Sequence, residues 1–324
     1  MKTALVIPSN RQHNLLHFLD QWEGNARWDL VIVVEDGPVK SFKLNEDDLL
    51  NAVLHHVSWN EIDEDLGEDS WIISRRDSAI RSYGFLLAYR LGADFIFTLD
   101  DDCLPLDTTF ITDHLNNFTQ TPMWVPSIPG QRTRGLPYNN LGKSKKVVMS
   151  VGLWEGVPDY DAIQTLAKER PPEELPMARV MPLGQYFPIC GMNLCFIREI
   201  ACLAYFPLMG EGYPYRRFDD IWFGVICKKI CDHLGLQITC GFPYINHSRA
   251  SDPFVNLVKE APGIAFNEEF WCHIDQIKLT GITPNVCLAE IGLALKGNKN
   301  EYLDKLGQSL LVWNKLFLNH QSIV

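Results

Sequence analysis

The chain has 324 residues, 46% of them hydrophobic and 21% charged, a balance that fits a folded globular protein and excludes wholesale disorder. At roughly 150 residues per domain it holds two domains or one large α/β unit. Lys and Arg total 29 against 40 Asp and Glu, a formal charge of −11, which argues against a non-specific nucleic-acid binder but permits a local basic pocket.

Leu5-Val6-Ile7 opens the chain as a first strand, stopped by the turn Pro8-Ser9-Asn10. This start carries one Lys and a very short apolar run, so it reads as a strand and not as a secretion signal. Leu15, Leu16, Phe18 and Leu19 recur at helical spacing. Leu30 to Val34 is a β-branched apolar strand, ended by Glu35-Asp36-Gly37-Pro38. Ser78 to Leu91 suits a helix, and Phe95 to Leu99 a third strand that runs into Asp100-Asp101-Asp102. From Pro122 to Pro188 the chain is richer in Gly, Pro and polar residues and reads as long loops over a cleft. Leu234 to His247 reads as another strand with a polar exit. The tail from about Pro284 is helical in pattern, with Leu288, Ile291 and Leu295, then Leu303, Leu306, Leu310 and Trp313.

Strands alternating with helices predict an α/β fold with a mostly parallel sheet covered by helices and a helical C-terminal appendix. The expected division is one α/β unit over residues 1–283, with halves at 1–121 and 122–283, and a packed helical segment at 284–324. No run of about 18 apolar residues occurs, so no membrane insertion is expected. The nine Cys are scattered and form no CxxC pair. With no secretion signal, reduced thiols and a cytoplasmic setting follow.

Three consecutive aspartates after an apolar strand are the sharpest signal. Open α/β sheets bind ligands beyond the carboxyl ends of their strands, where Asp36 and Asp100 to Asp102 sit. Clustered carboxylates repel one another unless a cation or protons neutralise them. Hard oxygens suit Mn²⁺ or Mg²⁺, which bind one or two carboxylates together with substrate phosphates. Such an ion offsets the charge that builds on a departing nucleoside diphosphate. The plain alternative is a solvated acidic turn. Asp36 could accept from a base or ribose, although Asp-Gly at a strand end is also an ordinary turn.

The stretch Thr98-Leu99-Asp100-Asp101-Asp102-Cys103 resembles the aspartate motif of the reversibly glycosylated polypeptides, the UDP-arabinopyranose mutases. Ile7-Pro8-Ser9-Asn10-Arg11, Val34-Glu35-Asp36-Gly37 and Asp77-Ser78-Ala79 with Arg81 resemble further segments of that family. So do Arg134-Gly135, Gly152-Leu153-Trp154, Pro158-Asp159-Tyr160-Asp161-Ala162, Cys190-Gly191-Met192-Asn193-Leu194, Phe218-Asp219-Asp220-Ile221-Trp222 and His247-Ser248-Arg249-Ala250-Ser251. Order and spacing agree over most of the chain. The resemblance implies a GT-A-like fold, a UDP-sugar as partner, a divalent cation (Mn²⁺ or Mg²⁺) and interconversion of UDP-L-arabinopyranose with UDP-L-arabinofuranose, without flavin. It matches Arg134 to the arginine that becomes glycosylated. A second arginine, frequent in the family seven residues later, is replaced by Leu141.

On that resemblance, Arg134, Asp219 and Asp220 are the candidate catalytic residues. Guanidinium is a poor nucleophile at neutral pH, so Arg134 would form a sugar adduct only beside a base; a bidentate clamp on the diphosphate is chemically easier. Asp219 and Asp220 would act as base toward the attacking O4 or hold sugar hydroxyls; paired carboxylates are also common at a helix N-terminus. Metal ligands would be Asp102, Asp100 and His247. Pro8, Arg11, Asp36, Asp77, Arg81, Asp100 and Asp101 would face nucleotide and diphosphate, with Asp77 and Arg81 alternatively paired with each other. Trp154, Asp159, Tyr160, Asp161, Gly191 and Asn193 would face the sugar; Trp154 and Tyr160 equally suit a core. Two other activities fit the same residues, a retaining glycosyltransferase with a UDP-sugar donor and a non-catalytic UDP-sugar-binding scaffold. Neither excludes a homo-oligomer.

Overall fold

The computed structural model describes residues 1–44, 52–128, 131–132, 134–170, 173–248 and 251–321; Arg249 and Ala250 of the motif quoted above lie outside the described residues. The chain opens with β1 (Thr3–Ser9), α1 (Gln12–Trp22), β2 (Leu30–Glu35), β3 (Val53–Val57) and α2 (Trp59–Leu66). A 3₁₀ turn at Ser78–Ile80 leads into α3 (Arg81–Arg90), then β4 (Phe95–Leu99) and β5 (Cys103–Leu104). β1, β2 and β4 are apolar on both faces because helices cover both, and almost every residue in them is buried. α3 lies close on β1 and β2: a Cβ at Gly84 would stand 2.4 Å from Val6 Cγ1 and 3.0 Å from Val34 Cγ2, so only glycine lets the helix approach.

The second half adds α4 (Phe110–Asn116), β6 (Gln120–Thr121), β7 (Lys145–Gly156), α5 (Ala162–Leu166), β8 (Arg179–Val180), β9 (Asn193–Ile197), α6 (Asp219–Leu234) and β10 (Gln237–His247). The sheet order is β3-β2-β1-β4-β9-β7-β10-β5. β3, β2, β1 and β4 are mutually parallel, as the sequence predicts; β9 runs antiparallel to both β4 and β7, and β10 is parallel to β7. This reversal of one strand brings the carboxyl ends of β1, β2, β4, β7 and β10 and the amino end of β9 to one sheet edge.

Two elements depart from the sequence reading. The Pro122–Pro188 stretch is not loop throughout, because β7 occupies the sheet centre between β9 and β10. Its buried run, Val147 to Val151, is short and flanked by Lys145-Lys146 and Gly152, which hides it in a polar segment. The 24-residue α7 (Pro253–Gln276) also escapes a periodicity search. Its first buried positions are Asn256, Glu260 and Gly263, polar or small, and Pro262 lies within it. Its start is nonetheless written in Asp252-Pro253: the Asp252 carboxylate accepts from the Phe254 and Val255 amides, and proline occupies the first turn.

The helical tail forms α8 (Pro284–Leu295) and α9 (Glu301–Gln321). It is tied to the body by Trp313 Nε1 donating to the Cys202 carbonyl (2.8 Å), Tyr302 Oη donating to the Leu208 carbonyl (3.0 Å) and the Phe317 ring against Tyr89. Among the described residues no helix is long and apolar enough to cross a membrane.

A buried polar knot holds the sheet centre. Asn193 Nδ2 donates to the Leu153 and Pro243 carbonyls, leaving Oδ1 to accept from His114 Nε2 at 2.9 Å. His114 Nδ1 therefore accepts from Ser150 Oγ at 2.8 Å, and the ring is neutral. Burial pushes its pKa down to about 4, against the opposing bond to Asn193. The unfolded chain binds this proton near the ordinary value of 6.5, the folded chain only near 4, so unfolding takes up a proton throughout that window and stability rises with pH across it. Denaturant unfolding at pH 6.5 and pH 5 should show about 1.5 kcal/mol of loss from this site, absent from His114→Gln. An equal pH dependence in the two proteins would exclude His114 as its source.

Candidate active site

The three aspartates beyond β4 do not act as one cluster. Each has a different set of partners, although Arg11 reaches two of them. Asp100 Oδ1 accepts from Arg81 Nη2. Asp101 is buried and takes Arg11 in a two-pronged pair, with Ser9 Oγ donating to Oδ2 at 2.5 Å. Burial still pushes the Asp101 carboxyl above its ordinary value, against the Ser9 and Arg11 bonds that pull it down. Asp102 faces His247, with Oδ1 3.9 Å from Nε2, while its Oδ2 accepts from Arg11 Nη2 at 3.3 Å.

The tautomer of His247 is set by its backbone. Nδ1 donates to the Val157 carbonyl at 2.8 Å, so in the neutral ring it is Nε2 that carries the lone pair, on the side of Asp102. One carboxylate oxygen and one imidazole nitrogen, a few ångströms apart and otherwise lightly engaged, fit a single divalent cation whose remaining positions go to phosphate oxygens and water. Among the described residues no set of three His, Cys, Asp or Glu side chains comes together to hold an ion alone. Asp100, expected as a third ligand, accepts from Arg81 through Oδ1.

Arg81 lies at the junction of two adjoining cavities. The smaller, about 180 Å³, includes Pro8, Arg11, Asp36, Asp77 and Asp101 in its wall. The larger, about 1000 Å³, holds Trp154, Asp159, Tyr160, Asp161, Gly191, Asp219 and Asp220. Both share Ser78, Arg81 and Asp100. The Arg81 side chain is 2% exposed and bonded on every nitrogen: besides Nη2 to Asp100, Nε donates to Ser78 O (3.1 Å), and Nη1 to Thr98 Oγ1 (3.1 Å) and to Gly191 O (2.7 Å). It pairs with Asp100 and not with Asp77, and four of its five N–H donors are engaged within the protein. Asp77 instead caps the 3₁₀ turn through the Ala79 amide (3.1 Å), and burial together with the Asp219 charge pushes its carboxyl well up. Asp36 Oδ1 accepts from Trp59 Nε1 and the Arg76 amide, both at 2.9 Å.

Asp219 and Asp220 stand in the first turn of α6, where the helix dipole favours negative charge. Ser78 Oγ donates to Asp219 Oδ2 at 2.9 Å. Asp220 Oδ2 accepts from the Gly191 amide at 2.8 Å. Burial, then the charges of Asp219 and Asp159, pushes the Asp220 carboxyl well above the usual range. Gly191 thus binds Arg81 through its carbonyl and Asp220 through its amide. A Cβ there would stand 2.8 Å from Phe206 Cε2 and 3.3 Å from Asp220 Cβ, so any larger residue would push these partners apart. Asp159 Oδ2 accepts from the Cys190 thiol at 2.9 Å.

Two expected residues lie elsewhere. Asn193 is wholly buried with its amide spent on the sheet, so it shapes the site from behind and touches no ligand space. Arg134 is exposed on the connection from β6 to the amino end of β7, which lies at the sheet edge opposite the aspartates, and it lines neither cavity. Other wall residues escaped the sequence reading. Arg217 Nε donates to Glu260 Oε1 (2.7 Å), while Glu260 Oε2 accepts from the Ala162 amide (2.7 Å). This bridge ties α7 to the segment that carries Asp159 and Tyr160. Its partners are far apart in sequence, and a pattern search along the chain has no means to pair them.

The sequence matches the model of the family described as reversibly glycosylated polypeptide over residues 2–322. It is 36% identical to UDP-arabinopyranose mutase 1 of Arabidopsis thaliana, covering 95% of this chain and 90% of that protein. It is 34% identical to UDP-arabinopyranose mutase 1 of Oryza sativa subsp. japonica, covering 95% and 88%. Among solved structures, glucosyl-3-phosphoglycerate synthase from Mycobacterium tuberculosis, in complex with Mn²⁺, uridine diphosphate and glucosyl-3-phosphoglycerate, aligns with a TM-score of 0.46 at 15% identity, covering 84% of this chain and 80% of that one.

The buried Arg81 has a measurable consequence. Arg81→Met should destabilise the fold by about 3–5 kcal/mol, because Asp100 and Asp219 lose their cation. Adding Asp100→Asn should recover part of that loss. Strict additivity of the two changes in denaturant unfolding would refute the pairing.

Proposed function

The chain belongs to the reversibly glycosylated polypeptide family, and we propose that it interconverts UDP-L-arabinopyranose and UDP-L-arabinofuranose as a metal-dependent, flavin-independent mutase. The observation that carries this reading is the similarity to named mutases over 95% of the chain. The two adjoining cavities support it, since a nucleotide and its sugar need neighbouring spaces with the scissile bond at their junction. The reaction is placed in the cytoplasm, where its product would serve as a precursor of arabinofuranose-containing polysaccharide.

The chain's residues divide the work. The smaller cavity receives the nucleotide, with Asp36 and Asp77 at its wall and Pro8 and Arg11 beside the aspartates. Asp102 and His247 would hold Mn²⁺ or Mg²⁺, which when bound neutralises the charge of the departing diphosphate. Arg81 fixes Asp100 and Gly191 and so sets the floor of both cavities. The sugar lies toward Asp159, Asp219 and Asp220. O4 attacks C1 as the bond from C1 to the UDP oxygen breaks. Asp220, assisted by Asp219, accepts the O4 proton. UDP then returns to C1, the C1–O5 bond breaks, and the proton passes to O5. C1 is inverted twice and its configuration is retained. The raised affinity of Asp220 for a proton favours its taking the O4 proton. Arg134 would enter only if its connection folds over the larger cavity, where it would stabilise or capture the freed sugar.

Incubation of the protein with UDP-arabinopyranose and Mn²⁺, without acceptor, should yield an isomeric UDP-sugar on chromatography. Consumption only in the presence of an acceptor would favour a glycosyltransferase instead. Asp102→Asn should abolish metal-dependent UDP binding, whereas Asp220→Asn should bind UDP normally and lose turnover by about 10²-fold or more; unchanged behaviour in either variant removes that residue from its role. Arg134→Ala, assayed alike, should stop turnover with UDP affinity intact if the connection closes. Undiminished turnover would exclude Arg134 from the reaction.

A further inference from the structure

The larger cavity extends well past the point where a single pentosyl group would meet Asp219 and Asp220. Two walls run outward from that point. One is the segment from Gly191 back to Tyr186, which begins at the Arg81 and Asp220 contacts and ends where Tyr186 Oη donates to Asp275 Oδ1 at 3.0 Å. The other is one face of α7, where Glu260, Ile264, Asn267, Glu268 and Trp271 follow each other at helical spacing. From Glu260, bound to Arg217 beside the reaction centre, to Trp271 is about 16 Å along the helix. The walls meet at the aromatic pair Tyr186 and Trp271, whose ring centroids are 6.4 Å apart.

The chemistry of this outer chamber is specific. Trp271 is 42% exposed and offers a flat apolar face that nothing in the described fold covers completely. Among the described residues, the Glu268 carboxylate, the Arg179 guanidinium and the Tyr160 hydroxyl make no hydrogen bond or ion pair. Asn267 spends Oδ1 on Trp222 Nε1 (2.9 Å), and its amide donors remain unengaged. Flat aromatic surface beside planar polar side chains with spare donors and acceptors is the pattern that holds a sugar ring, stacking on its C–H face and bonding its hydroxyls. Seven acidic side chains and three arginines line the cavity as a whole, so an anionic occupant is disfavoured.

We propose that the outer chamber between α7 and the Tyr186–Gly191 segment binds an uncharged saccharide, a second glycosyl ligand distinct from the sugar carried by UDP. It is placed so that its near end reaches the reaction centre while its far end stacks on Trp271. The site stands on its own residues and does not require mutase turnover.

Calorimetric titration with xylotriose and with maltotriose, each with and without saturating UDP and Mg²⁺, tests it. Expected are saturable binding of at least one trisaccharide that persists with UDP bound, weaker binding of trigalacturonic acid, and a loss of about tenfold or more in Trp271→Ala. UDP affinity and turnover of UDP-arabinopyranose should be unchanged in that variant. Absence of saturable binding by either neutral trisaccharide, equal binding in Trp271→Ala, competition with UDP, or equal binding of the acidic trisaccharide would each overturn the proposal. Failure of the mutase assay would leave these titrations readable, because they are scored on binding alone.

Discussion

Neutralising three neighbouring carboxylates beyond one strand end is the constraint on which the site depends. In the folded chain each acid is answered from a different direction. Arg81 comes from α3, Arg11 from the end of β1, and His247 from the end of β10. Two of the answers are permanent cations and hold the loop in place. The third is an imidazole and not a permanent cation, and it stands 3.9 Å from Asp102. The sheet supplies the geometry. Only with these strand ends at one edge can three elements so distant in sequence reach three successive residues.

The single antiparallel strand completes this arrangement. Because β9 runs against its neighbours, its amino end and the preceding Gly191 lie where the other strands finish. The peptide groups of Gly191 then link a buried guanidinium to a buried acid at the start of α6. Behind them, His114, Asn193 and Ser150 fasten β9 to β7 and to the bulged middle of β10. Burial without charge makes that knot suitable for the sheet interior, while the charged pairs sit at the edge where ligand and water can reach them.

Much of this was legible in the sequence, and the rest was not for identifiable reasons. The strands that carry Asp36 and Asp100 announce themselves as unbroken apolar runs, so their ends, and hence the site edge, could be read directly. The partners of each aspartate could not. Pattern alone treats Asp100, Asp101 and Asp102 as equivalent, whereas long-range pairing makes one a tie to Arg81, one a buried anchor and one a ligand candidate. Asn193 lies in a motif beside Gly191, yet strand alternation turns its side chain into the core. α7 was hidden because it buries Asn256 and Glu260 in place of an apolar stripe, and with it went Trp271 and the outer wall of the cavity. The Arg217–Glu260 pair joins residues whose proximity only the tertiary fold creates.

The linkage through Gly191 also bears on how this centre can change over generations. Its bonds are made by main-chain atoms, which every amino acid except proline supplies, so the wiring itself is indifferent to the genetic letter. The limit is volume alone, set by Phe206 on one side and Asp220 on the other. A descendant bearing alanine there would keep the donor and acceptor but displace the groups they address. Repair would call for a smaller ring at 206 first, so the order in which mutations arrive, and not merely their sum, would decide which descendants keep a working centre.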